Sequence, residues 1–204
     1  MKTENKVLMQ QARETLKGKW GLAIGGCVVY CLIIVIVETI PVAGQIASIF
    51  ITGPMMGGLA VFILAISRNQ SEARIEQLFQ GFNRFTTYLG AYWLMVLYII
   101  LWSFLLFIPG IIAAFGYSMI FYILADDNSI GISETLQKSK AMMMGNKWKL
   151  FCLTWRFFGW FLLSLLSLGI GFLWLIPYMQ VSIAKFYEDV KNAQKLSDIA
   201  NADV

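Results

Sequence analysis

Apolar residues run almost unbroken through six stretches of this chain, and polar residues collect in short segments between alternate stretches. The stretches are Trp20 to Ile40, Gly44 to Ile66, Phe85 to Phe107, Gly110 to Ala125, Leu150 to Leu168, and Gly169 to about Ala184. A helix needs about 20 apolar residues to cross about 30 Å of hydrocarbon, so the pattern predicts six transmembrane helices, the fourth and sixth short enough to begin in the interface. The links within successive pairs hold turn-forming residues, Pro41, Pro109-Gly110 and Gly169-Ile170-Gly171, which predicts three helical hairpins in an all-α polytopic membrane protein.

The polar segments have a pattern of their own. In the second, Ile75, Leu78, Phe79 and Phe82 recur at helical spacing, with Glu72, Glu76, Gln80 and Asn83 away from them and Ser71 as N-cap. The third offers Ser133 as cap with Leu136, Met143 and Met144, and the first Leu8, Ala12 and Leu16. Two readings fit: amphipathic helices lying in the cytoplasmic interface, anchored by Trp20, Phe85 and Trp148, or helices packed as a cytoplasmic cap on the core.

Each segment ends in a glycine followed by a base and an aromatic residue, Gly18, Gly81 and Gly145, at spacings of 63 and 64 residues. A second landmark recurs in the even stretches: Gly53-Pro54, Gly116-Tyr117 and Pro177-Tyr178. Two landmarks sharing a period predict an internal repeat, with units 3–66, 71–127 and 133–187 inside a single membrane domain 1–204. Each unit would be an amphipathic helix, a glycine turn, an ascending span, a tight link and a descending span softened near its middle. Units arranged about a common axis would bring Tyr117, Tyr178 and Gln180 to a shared cavity, with Gly53, Pro54, Gly116 and Pro177 as helix-break stations facing protein.

Composition agrees with a membrane protein, 58% of residues being apolar and 14% charged. Of 16 lysines and arginines, 15 lie before Trp20, between Arg68 and Arg84, between Lys138 and Lys149, or from Lys185 onward, and the hairpin links hold none. Basic residues mark the cytoplasmic side, so both termini are expected inside. The net charge of +4 is then accounted for by a membrane surface rather than nucleic acid. Nineteen residues precede the first apolar run and further spans follow it, which argues against a cleaved signal peptide.

Two charges fall inside the apolar stretches. Glu38 sits near the outer end of the first and can reach headgroups. Arg156 lies seven residues past Lys149, about 10 Å into the membrane, either snorkelling back to the interface or serving a pathway or a lipid phosphate. Arg156, Trp20 and Trp148 are therefore candidates for lipid or partner contact. Cys27, Cys31 and Cys152 are expected to be small buried apolar residues, and a chain with no histidine offers no metal set and no implied cofactor.

The absence of histidine also removes serine-protease triads and the H-E-x-x-H zinc motif, and no phosphate-binding glycine loop is present. Asp126-Asp127, followed by Asn128 and Ser129, reads as a turn and cap. The expectation is a non-enzymatic protein. A transporter or channel for a small or lipid-like solute would use polar groups at membrane depth, here Gln45, Ser48, Thr52, Ser103, Ser118, Ser164, Gln180 and Ser182, which also serve helix contacts. A binding, assembly or scaffold role fits the amphipathic segments and the adaptable Met142-Met143-Met144 surface, with lipid bilayer, other membrane proteins or further copies of the chain as partners.

The run Gln77-Leu78-Phe79-Gln80-Gly81-Phe82, then Trp102 with Ile108-Pro109-Gly110-Ile111, Tyr117-Ser118-Met119, Phe121-Tyr122-Ile123-Leu124, Ser139 with Met143-Met144-Gly145, Gly159-Trp160, and Pro177-Tyr178 with Phe186-Tyr187, resembles the DUF975 family of bacterial integral membrane proteins. The resemblance covers nearly the whole chain. It implies a bacterial plasma membrane and carries over no catalytic residue.

Overall fold

A computed structural model describes residues 3–69, 73–105 and 107–202, the side chains at 105, 107, 197, 198 and 200–202 aside. The predicted cap Ser71 and its neighbour Glu72 lie outside the described residues. The described residues form ten α-helices and one 3₁₀ segment, with no strand among them. In chain order these are α1 (Asn5–Leu16), α2 (Trp20–Glu38), α3 (Ala43–Ser67), the 3₁₀ segment (Ile75–Arg84), α4 (Phe85–Leu105), α5 (Phe107–Tyr117), α6 (Ile120–Asp126), α7 (Ile132–Met143), α8 (Lys147–Arg156), α9 (Phe158–Leu166) and α10 (Phe172–Ala202).

Among the described residues five helical stretches are long and apolar enough to cross a membrane: Trp20–Glu38, Ala43–Ser67, Ile75–Phe104, Ile108–Asp126 and Lys147–Leu166. The sixth expected span is the first part of α10. Its apolar residues 172–184 cover only about 20 Å at 1.5 Å per residue before Lys185, Glu188 and Asp189. The apolar faces of α1 and α7 are covered by protein: Leu8, Ala12 and Leu16, and Leu136 and Met143, are buried, whereas Met144, expected with them, is 72% exposed because it stands past the end of α7.

Close glycine contacts recur beside three helix-to-helix links. A Cβ on Gly44 would meet the Val37 carbonyl, one on Gly110 the Ser103 side chain, and one on Gly171 the Ser164 side chain. Each glycine follows its contact by seven residues, so a missing side chain lets two helices touch just inside each link. Ser103 and Ser164 also make the same bond, their hydroxyls donating to the Ile99 and Trp160 carbonyls at 2.8 and 2.7 Å.

Two turns at the opposite end match closely. Lys17 (φ −58, ψ 125) and Gly18 (φ 79) form a type II turn closed by the Lys19 amide donating to the Leu16 carbonyl at 2.9 Å. Met144 (φ −64, ψ 121) and Gly145 (φ 73) repeat it, with the Asn146 amide on the Met143 carbonyl at 3.1 Å. The second central position of this turn needs positive φ, which glycine adopts without steric cost. Gly81 departs from the expectation of a third such turn. It lies inside the 3₁₀ segment, where a Cβ would strike the Pro54 carbonyl, while a Cβ on Gly58 would strike that of Leu78. Backbone contact with α3 replaces the turn. The packed stripe is then Ile75, beside Gly25 of α2, with Leu78 and Gly81 on α3, at the threefold period of a 3₁₀ helix, which leaves Phe79 and Phe82 exposed where a 3.6-residue period would have covered them.

Three helices meet at the centre. Phe62, Ile63 and Ile66 of α3, Ile120, Ile123 and Leu124 of α6, and Val181 and Ala184 of α10 belong to one buried core. Around it, α3 packs on the 3₁₀ segment and α4, α5 packs on α7 and α8, and α10 packs on α1 and α2. The helices α3 and α5 thus lean on the polar segment and the helix that come next, and α10 leans on the first ones.

Candidate functional site

Beyond this core α3, α6 and α10 are tied by charge. Arg68, which caps α3, meets Asp126 at 2.5 Å and Glu188 at 2.8 Å; Lys191 pairs with the same Asp126, and the Tyr187 hydroxyl donates to it at 3.0 Å. Lys185 donates to the Ser67 carbonyl. Burial draws the Lys185 ammonium below the usual lysine range. Nearby, Lys149 of α8 and Asp189 of α10 pair at 2.7 Å, and Thr3 donates to the same carboxylate. Burial pushes the Asp189 carboxyl up, but the bonds from Lys149 and Thr3 outweigh it, and the group lies below its ordinary value. The Asn5 side-chain amide donates to the Lys149 carbonyl at 3.0 Å, so the chain's start is bound to both α8 and α10.

Next to this junction two cavities adjoin. One, of about 570 Å³, runs between α2, α9 and α10, with Trp20, Trp160, Leu163, Ser164, Trp174 and Leu175 in its walls. It is predominantly apolar and open to the exterior, Trp160 and Trp174 being exposed. The other lies over the polar face of α1, among Lys6, Gln10, Glu14, Lys17 and Arg156. Met9, Arg13 and Tyr178 line both. An apolar trough therefore runs into a basin holding four cations and one carboxylate, and Glu14 is itself held by the Gln10 amide at 3.0 Å. Among the described residues no carboxylate lies within ion-pair distance of Arg13 or Arg156.

Arg156 reaches this basin because the ascending helix breaks directly after it, between α8 and α9, where the Phe157 ring is buried edge-on against Tyr178 with centroids 5.2 Å apart. The break lies in an ascending helix, where none was expected. Trp20 is half-buried in the trough. Trp148, expected to match it, is 74% exposed and stacks on Phe151 instead, since the type II turns pair Trp20 with Lys147, each two residues past its glycine.

The predicted convergence of Tyr117, Tyr178 and Gln180 is not what the geometry brings together. A central cavity of about 340 Å³ is lined by Ser118, Tyr122, Thr154 and Gln180 among apolar neighbours, with the Tyr122 hydroxyl donating to Gln180 at 3.3 Å. Tyr178 lies two residues from Gln180, about 200° around the helix, so the two cannot share a face. It points to α1, and its hydroxyl donates to the Met9 carbonyl at 3.2 Å. Tyr117 belongs to a third cavity and stacks on Tyr98.

The stations are buried, in different settings. Gly53 packs on the α4 backbone, where a Cβ would stand 2.9 Å from the Tyr88 carbonyl, and Pro54 backs onto Gly81. The Gly116 carbonyl accepts from the Ser139 hydroxyl at 2.9 Å. Pro54 and Pro177 lie within unbroken helices, and only the Gly116 station adjoins a break, between α5 and α6. Cys27 is buried as expected, but Cys31, one turn on, is exposed because α2 has left the packed core there. Glu38, at the end of α2, is exposed.

The family model described as a protein of unknown function, DUF975, matches residues 1–112 and 104–194. The chain belongs to the DUF975 family. No curated protein and no solved structure matches this DUF975 chain. Sequence reasoning missed Arg13, the one cation that lines both trough and basin; the signal for it was its place four residues after Met9, on the same face of α1.

Proposed function

We propose that this DUF975 protein is a non-enzymatic, six-pass protein of the bacterial plasma membrane, with both termini cytoplasmic, that binds an anionic phospholipid between its last and first units as part of an assembly or scaffold role. The observation that carries the reading is the junction of the two cavities at Met9, Arg13 and Tyr178. An amphiphile with a phosphate at one end and an acyl chain at the other has the same division of chemistry. Arg13 and Arg156 would take the phosphate by charge-assisted hydrogen bonds, and Trp20, Trp160 and Trp174 would lie along the chain. The trough extends from Tyr178 to Gly171, seven residues or about 10 Å of helix. A lipid so held would bridge α1 to α9 and α10, strengthening the closure that Tyr178 and Asp189 already make.

The orientation rests on the ion pairs, which gather at the end opposite the three tips. The three units are read as equivalent from the shared tip contacts, the two type II turns and the cyclic order of packing. The central cavity favours a second reading, a pathway for a small solute, through its polar lining of Ser118, Tyr122, Thr154 and Gln180.

Thermal unfolding in detergent tests the proposal. Phosphatidylglycerol should raise the midpoint of the wild type, as any ligand of the folded state does, and phosphatidylcholine should raise it much less. The Arg13→Gln/Arg156→Gln variant should lose the difference. Equal shifts from both lipids would refute the reading.

A further inference from the structure

We infer that the slot between the second and third units is a second anionic-phospholipid site, an inference that rests on the reading of the first. The slot, of about 330 Å³, is bounded by Trp102, Ile112, Tyr117, Lys140 and Lys147. Its outer wall is apolar and open, with Trp102 and Ile112 exposed by 43% and 47%, while Tyr117 is buried behind it. Two cations stand at one end. Lys147 lies along Gly116, its Nζ 3.6 Å from where a Cβ would stand, which places the ammonium at the end of the slot. Among the described residues neither Lys140 nor Lys147 has a carboxylate within ion-pair distance.

The slot repeats the construction of the first site. Tyr117 stands on a descending helix as Tyr178 does, 61 residues earlier, and Lys140 occupies the last turn of α7 as Arg13 occupies the last turn of α1, 127 residues earlier. In both places a descending-helix tyrosine backs an apolar opening below unpaired cations from the next polar segment. The third such junction, between α3 and the 3₁₀ segment, has Pro54 where the tyrosines stand, and Gly58 and Gly81 bring the backbones into contact there. Backbone contact takes the place of the cleft there, so the repeated construction supplies two sites. A free phosphate would satisfy the lysines but leave the apolar wall unfilled, which is why the occupant is a lipid.

Native mass spectrometry of the full chain released from detergent, with phosphatidylglycerol added, counts the sites directly. The wild type should retain two lipids. Lys140→Gln/Lys147→Gln should retain one, and so should Arg13→Gln/Arg156→Gln, each vacated site weakening at least tenfold. Ile112→Trp, at an exposed position, fills the slot from outside and should also leave one lipid if the lysine variant does not fold. Two lipids retained by both slot variants would overturn this inference and leave the first site standing. A second lipid that phosphatidylcholine supplies equally, or that inorganic phosphate displaces, would also overturn it. If the arginine variant as well keeps every lipid, the first reading fails too.

Discussion

The Tyr178 hydroxyl donates to the Met9 carbonyl at 3.2 Å and so joins α10 to α1 across 169 residues of chain. The same ring packs edge-on against Phe157 beside the break that frees Arg156. Tyr178→Phe keeps the ring and removes one hydrogen bond, a loss of about 0.5–1.5 kcal/mol. Thermal unfolding should show a modest fall in midpoint; an unchanged midpoint would mean the bond contributes nothing to closing the ring.

The crossing of the 3₁₀ segment over α3 tolerates no side chain. Gly58→Val or Gly81→Val forces a branched carbon into a backbone carbonyl, and overpacking of this kind costs about 1–3 kcal/mol or more. Gly131→Ala, where a Cβ meets nothing within 4 Å, is the control and should unfold like the wild type. Equal behaviour of Gly81→Val and Gly131→Ala would show that the crossing is looser than described.

The two type II turns predict matched penalties. Gly18→Ala should cost about 1 kcal/mol through positive φ alone, since a Cβ there meets no neighbour. Gly145→Ala has the same positive φ and should cost a similar amount. Gly21→Ala, also in open space but at a helical residue, should be neutral or stabilising. Comparing the three unfolding midpoints distinguishes turn strain from a general effect of losing glycine.

Asp189 makes stability depend on pH. Its carboxyl lies below the ordinary value of 3.8 in the folded protein, so its contribution is fully present above that value and is lost as pH falls through the folded pKa. Asp189→Asn should therefore be less stable than the wild type at neutral pH, and the gap should close as pH drops below about 3.8. A gap that persists at the lowest pH would assign the loss to packing rather than to the Lys149–Asp189 pair.

The positions of the helices were legible because uninterrupted apolar runs and Pro-Gly links are strong local signals. Which way each helix faces was not, because a stretch that is apolar all round carries no periodicity to mark its packed side. That is why Tyr117, Tyr178 and Gln180 were expected together, although two residues along a helix reverse the direction of a side chain. Gly18 and Gly145 were readable as direction-changing glycines from composition, whereas Gly81 is glycine for a contact with Pro54 that only tertiary packing creates. The break at Arg156 has neither glycine nor proline at its centre. Its one visible mark was a charge in an apolar run, and that mark did identify the residue as a site candidate.

The central claim is that an anionic lipid occupies the trough beneath Arg13 and Arg156. Photo-crosslinking tests it most directly: the protein is incorporated in nanodiscs containing phosphatidylglycerol with a diazirine in its acyl chain, irradiated and digested, and the adducts are mapped by mass spectrometry. Adducts should concentrate in the peptides holding residues 160–178 and near Trp20, with a second group at the slot beside Trp102 and Ile112, and the first group alone should fall in the Arg13→Gln/Arg156→Gln variant. Adducts spread evenly over the three tips, or an equal pattern from a phosphatidylcholine analogue, would contradict the account.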